Sequence, residues 1–261
     1  MDKVKVCTPI SHLFQNPEYA NKIILNSDNL EYRDHSEKPD LLNKEVYHCD
    51  IQPIHEFNAS DYSLLNKIKT EHKNLKLISF HLASCYKEPK LLNNVFYPNG
   101  KKIKKKELIE NAQRNITFIK NFFNNSVKIA VENNNHLLSE AYDYVTDPQF
   151  INKIVNDNEI YFLFDISHAR ISSYNLNLDY RDYILNLPLE RIIQIHLSKE
   201  IITPEGLMYD AHEIPDHSDL LELKRLIKKY KGIKYVTVEY YKNMDVLLNF
   251  LVKLKKMIYE G

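Results

Sequence analysis

Nine residues of metal-ligating type recur at one kind of position in this chain. His48, His81, Glu132, Asp165, His196 and Glu239 each lie at or near the end of an apolar, strand-like run, and His168 follows Asp165 by three residues. Asp210 and His212 lie on the stretch after the His196 run. Imidazole and carboxylate together hold zinc, iron or manganese, and about four to six ligands saturate one ion. Nine therefore point to two or three ions. Glu132 is anionic and can bridge two cations, while Asp165/His168 and Asp210/His212 can each serve neighbouring ions. We expect Glu132, Asp165 and His168 to carry the catalysis. At any single position a paired histidine or a helix-capping carboxylate would be explanation enough. Packing gives no reason for such residues at the ends of six consecutive strands, because burying unpaired charge is costly.

Those residues need a scaffold that brings strand ends together. Strand-like runs are Val4–Cys7, Asn29–Arg33, Glu45–Asp50, Leu75–His81, Val127–Glu132, Ile160–Asp165, Arg191–Leu197 and Lys234–Tyr240. Several are continuously apolar, as strands buried on both faces are. Helical periodicity fits Ser60–Lys73, Lys105–Phe123, Asp147–Asn156, Leu178–Asn186, Ser218–Tyr230 and Asn243–Tyr259. The alternation predicts an α/β fold, a (β/α)8 TIM barrel forming a single domain over 1–261, with a metal site at the C-terminal rim of the strands. An open doubly wound sheet is the alternative. Asp34–Lys44 is too short and too broken by Pro39 for a full helix. Tyr86–Lys104 and Glu200–His217 are long excursions from strand ends, where lids and substrate loops are found.

Composition narrows the function classes. The 35 basic and 35 acidic residues cancel, which argues against a phosphate-led nucleic-acid binder. With 4 glycines and no G-x-G-x-x-G or P-loop pattern, a glycine-rich nucleotide cradle is not expected. Cys7, Cys49 and Cys85 form no disulfide framework, so a reducing cytoplasm is expected. The start of the chain does not read as a signal peptide, and no apolar run is long enough to span a membrane. Adjacent strand residues face opposite ways, so if His48 faces the barrel axis, Cys49 faces the helix layer. Cys85 is the cysteine expected nearest the rim. The basic stretch Lys101–Lys106 reads as a solvated helix start or as a docking patch for an acidic partner or phosphate.

The motifs around these residues resemble one family. Ser79-Phe80-His81-Leu82-Ala83 is similar to its Ser-x-His-Leu-Ala segment, and Glu132-Asn133 to its Glu-Asn strand end. Leu187-Pro188-Leu189 with Ile195-His196-Leu197, and Asp210-Ala211-His212-Glu213-Ile214-Pro215, are similar to its remaining segments. Over roughly residues 45–250 the chain resembles the multinuclear non-haem iron-dependent oxidase (MNIO) family, within the xylose-isomerase-like and endonuclease IV-like TIM barrels. His168 stands where that family usually has Asn, Ser198-Lys199-Glu200 where it often has Ala-Gly-His, and Val6-Cys7-Thr8-Pro9 where it has a glycine-rich strand. The resemblance implies two or three irons, with zinc or manganese as other occupants of such ligands, and O2 as co-substrate. It implies a cysteine-containing, ribosomally made precursor peptide as substrate, and a partner protein that presents it. The ligand set alone would equally serve a metal-dependent endonuclease IV-like phosphodiesterase or a sugar isomerase or epimerase.

Overall fold

The computed structural model describes residues 3–36 and 44–260. Eight parallel strands close into a barrel. They are β1 (Lys5–Pro9), β2 (Asn29–Arg33), β3 (Val46–Cys49), β4 (Leu77–His81), β7 (Lys128–Glu132), β8 (Tyr161–Asp165), β9 (Ile192–Leu197) and β12 (Tyr235–Val238). The ring order is β1-β12-β9-β8-β7-β4-β3-β2, so β1 and β12 meet at the seam. Closure excludes the open doubly wound sheet. Helices α1 (Pro17–Asn26), α2 (Ala59–Glu71), α3 (Lys105–Phe122), α4 (Pro148–Asp157), α5 (Ile166–Asn175), α6 (Tyr180–Leu185), α7 (His217–Lys229) and α8 (Met244–Glu260) lie between and after the strands. Among the described residues, no helix is long and apolar enough to cross a membrane.

Two helices are additions to the sequence reading. α1 begins on Asn16, whose side chain caps Glu18 and Tyr19, with Pro17 at the first helical position. α5 begins on Asp165, whose carboxylate accepts from the His168 amide. His168 is therefore on the first turn of a helix, not in a loop. The expected long excursions are β-hairpins. β5 (Lys90–Leu92) and β6 (Val95–Tyr97) form one, and β10 (Lys199–Ile202) and β11 (Met208–Glu213) form the other. The link between β2 and β3 falls largely outside the described residues.

The barrel interior changes character along its axis. Cys7, Val46, Leu77, Ala130, Leu163, Ile193 and Tyr235 form an apolar plug towards the strand starts. Two residues further on, β3, β4, β7, β8 and β12 present polar side chains inward, because the side-chain period of a strand is two, and β2 adds Glu31 at this level. His48, Ser79, Glu132, Asp165, Thr237 and Glu31 are all buried there. Cys49 packs in the outer core beneath the helices, on the face opposite His48. Lys102 pairs with Asp143, Lys105 with Asp147 at 3.1 Å and Lys106 with Glu110 at 3.7 Å. The basic stretch thus opens α3 as an ion-paired surface.

Candidate metal centre

Glu132, at the end of β7, is the hub of the polar layer. Its Oε2 lies 2.9 Å from His81 Nδ1 and 3.4 Å from His48 Nε2. Its Oε1 lies 2.9 Å from His196 Nδ1. Two ligands each about 2.1 Å from one cation stand about 3.0 to 3.4 Å apart, close to these spacings. Three groups of donor atoms could each enclose an ion: His48/His81/Glu132, Glu132/Asp165/His168 and Glu31/His196/Glu239. The first two share Glu132. The hairpin β10–β11 closes the far side. Asp210 Oδ2 lies 3.0 Å from His212 Nε2 and 3.6 Å from His168 Nε2, and His212 reaches Glu239 at 3.6 Å. All nine residues singled out in the sequence therefore meet at one rim.

The donor set fits cations. Glu132 Oε2, Asp165 Oδ2 and His196 Nδ1 are buried yet take part in no hydrogen bond. Buried polar atoms rarely go unpaired unless something else serves them. The orienting contacts agree. His48 Nδ1 bonds Ser79 Oγ at 2.8 Å, which directs Nε2 at Glu132. His168 Nδ1 donates to the Asn133 carbonyl at 2.9 Å and lies 3.8 Å from both Glu132 Oε1 and Asp165 Oδ2, while Nε2 faces Asp210 at 3.6 Å. Asn133 also exchanges two 2.9 Å bonds with the Asp165 backbone and so ties β7 to β8 at the rim.

Electrostatics follow from crowding acids and imidazoles. Burial opposes the charged form of His168, but Asp165, Asp210 and Glu132 outweigh it and raise its pKa to about 10. His196 rises to about 9 in the same way, through Glu31 and Glu132. Burial and then neighbouring His81 push His48 down to about 4. Burial raises Asp165 to about 6, whereas His48 and His196 overcome it at Glu132 and keep that carboxyl well below its usual range. With no cation bound, the site stores protons on His168 and His196 that a metal would displace.

Sequence reasoning missed four participants. Glu31 on β2 is fully buried and accepts from His196 Nε2 at 2.9 Å, Gln194 Nε2 at 2.6 Å and Thr237 Oγ1 at 2.9 Å. Arg33 bridges Glu31 to Glu239. Asp50 lies 3.7 Å from His81 Nε2, and His35 lies 3.5 Å from Asp50. Arg33, His35 and Asp50 line a cavity of about 430 Å³ together with Ile10 and Phe14, and Asp50 links it to His81. The signal was the polar alternation Asn29-Leu30-Glu31-Tyr32-Arg33 on a strand of the barrel. Glu200, in the position where the family often has Ala-Gly-His, accepts from Ser167 at 3.0 Å and Arg170 at 3.3 Å, and so anchors the hairpin to α5. The cysteines are removed from this chemistry. Cys7 is in the plug, Cys49 Sγ contacts Asp34 at 3.7 Å, and Cys85, expected nearest the rim, is buried with Sγ donating to the Glu140 carbonyl at 3.1 Å.

Comparison with known proteins agrees with this architecture. Residues 54–258 match the family described as RiPP precursor modification enzyme MbnB/TglH/ChrH, and the chain belongs to that family. A UPF0276 protein of Caulobacter vibrioides is 29% identical over 87 residues, 33% of this chain and 31% of that protein. A UPF0276 protein of Shewanella sediminis is 23% identical over 95 residues, 36% of this chain and 34% of that protein. The matched stretch thus spans about a third of the length of these curated relatives. Among solved structures, a xylose isomerase-like TIM barrel protein from Mycobacterium smegmatis in complex with magnesium superposes with a TM-score of 0.58 at 8% identity, over 100% of this chain and 97% of that one. The 3-keto-D-glucoside 4-epimerase from E. coli gives 0.58 at 12% identity, over 98% and 99%. At such identities these likenesses establish the barrel and nothing finer.

Proposed function

We propose, with membership of the MbnB/TglH/ChrH family as the premise, that this chain is a multinuclear iron-dependent oxidase. Its substrate is a cysteine-containing, ribosomally made peptide, O2 is the co-substrate, and a partner protein presents the peptide. The observation that carries this reading is the sharing of Glu132 between two groups of donor atoms, with a third group beside them, which makes room for two or three cations. Zinc has no redox chemistry, so an oxidative role selects iron from the metals these ligands accept. When bound, iron would supply electron exchange with O2 and Lewis acidity towards a substrate thiol.

The chain's own groups would do the rest. Glu132 holds His48, His81 and His196 around one carboxylate. Asp165 and His168 form the wall facing the hairpin, and Asp210 orients both His168 and His212. The cavity that Asp50 links to His81 would admit a peptide side chain, with Ile10 and Phe14 as its apolar lining and Arg33, His35 and Asp50 at its polar side.

The test supplies a Cys-bearing candidate peptide, an abasic-site oligonucleotide and a set of aldoses. Each is given Fe(II) or Zn(II), with and without O2. The expected result is a mass change on the peptide that requires both iron and O2. Turnover of DNA or sugar with zinc in the absence of O2 would overturn the oxidase reading and leave the metal centre standing.

A further inference from the structure

The end of the barrel opposite the metal rim has chemistry of its own. A cavity of about 640 Å³ lies in the mouth formed by the strand starts, a volume typical of small-molecule sites. Five lysines line it, Lys3, Lys5, Lys76, Lys128 and Lys234, against two carboxylates. The chain as a whole carries no net charge, so this excess is local.

Both carboxylates are already neutralised. Glu45 Oε2 lies 2.5 Å from Lys5 Nζ. Asp28 lies 2.8 Å from Lys255 Nζ, and it also accepts from the Val6 amide at 2.8 Å and from the Tyr259 hydroxyl. Among the described residues, none of Lys3, Lys76 and Lys128 has a carboxylate in ion-pair range. Lys3 Nζ instead sits 3.1 Å above the Tyr259 ring and Lys128 Nζ 5.0 Å above that of Tyr161. An aromatic face holds an ammonium in place without cancelling its charge.

Their placement is paired. The Lys5 amide bonds the Lys234 carbonyl and the Lys128 amide bonds the Lys76 carbonyl, each at 2.8 Å. Lys5 opens β1 and Lys128 opens β7, which are diametrically opposite in the ring, as are β12 and β4, which follow Lys234 and Lys76. Two lysine pairs thus flank the mouth from opposite walls. Basic residues near this end also complement the C-termini of the helices. That effect does not account for lysines at strand starts around a concavity. The apolar plug separates this cavity from the metal centre.

We infer that the strand-start mouth is a second binding site, for a small phosphate-bearing polyanion whose phosphate chain spans from Lys76 and Lys128 on one wall to Lys3 on the other. Lysine ammoniums bind phosphates as mobile point charges, and a chain of phosphates can engage both walls at once. The site is independent of the reaction at the rim.

The experiment is calorimetric titration of the metal-loaded protein with inorganic phosphate, inorganic triphosphate and ATP, at low and at raised salt. Triphosphate is expected to bind more tightly than phosphate, and the binding to weaken with salt. ATP binding better than triphosphate identifies a nucleotide as the ligand. Equal binding identifies the bare phosphate chain. Lys76→Gln with Lys128→Gln should weaken triphosphate binding about tenfold for each lysine removed, with metal content and melting temperature retained. Lys128→Gln alone gives the same reading if the pair does not fold. No binding at about 1 mM triphosphate would overturn the proposal. So would unchanged affinity in the folded variant, which would put the phosphates on the metal rim.

Discussion

Replacing Glu31 by Gln keeps the shape of the side chain and removes its charge. Glu31 accepts five hydrogen bonds, two from Arg33 on Oε1 at 3.0 and 2.7 Å, and three on Oε2 from Gln194, His196 and Thr237. A Gln amide can offer its oxygen to one of these sets. The guanidinium has the stronger claim, because its bonds are charge-assisted. The amide NH2 then faces His196 Nε2, which can remain bonded only as an acceptor, with its proton moved to Nδ1. Nδ1 is the nitrogen that stands 2.9 Å from Glu132 and has no hydrogen-bond partner. A cation bound there must reverse that tautomer. Removing a carboxylate that orients a ligating histidine weakens metal binding about 10- to 100-fold, or about 1.4 to 2.8 kcal/mol, and Glu31 is also lost as a donor of the Glu31/His196/Glu239 group. Competition with a chelator of known affinity, run on wild type and Glu31→Gln, reads the change directly. A folded variant with wild-type metal affinity would refute the reasoning, because His196 would then not depend on Glu31 for its donor nitrogen.

Other outcomes follow from the same geometry. Protein purified anaerobically from iron-supplied cells should carry about two to three metal ions per chain by elemental analysis; a folded, metal-free product would remove the metal centre. Glu132→Gln should lose metal and turnover while circular dichroism shows an intact barrel, because an amide cannot offset two cations. Replacing Cys7, Cys49 and Cys85 together by Ala should leave turnover undiminished in a folded product, since none of the three sulfurs reaches the rim; a loss would make one of them reactive. Burial, then Lys44 and Lys67, push His72 down to about 4. Its unfolded form takes up a proton near pH 6.5, so stability should fall as pH drops from about 6.5 towards 4. His72→Phe, packed between Tyr32 and Tyr47, should flatten that limb in urea melts at pH values across this range.

The barrel was legible because its strands are short, mostly apolar runs, six of which end at or beside an acid or imidazole. Its omissions have physical causes. α5 is buried on nearly every side, so Ile166–Asn175 shows no amphipathic stripe for periodicity to detect. Glu31 was passed over because β2 reverses the usual pattern and turns its polar residues inward, where they read as solvent-facing. The tight turn of β5–β6 was written in Asn93-Asn94, both of which adopt positive φ. His212, at φ 45°, shows that the second hairpin bends its own strand to bring a donor to the rim. No periodicity in the sequence encodes such a bend.

The order of strands around the ring divides the cation positions between two parts of the sheet. His48, His81 and Glu132 come from β3, β4 and β7, which are direct neighbours. That group is complete once three adjacent strands have paired, with no strand of the C-terminal half of the chain required. Glu31, His196 and Glu239 come from β2, β9 and the residue after β12, and they span the seam where β1 meets β12. This group needs the β1–β12 pairing that joins the two ends of the chain. A cation in the first group would stabilise a half-built sheet during folding. A cation in the second would act as a clasp across the β1–β12 seam.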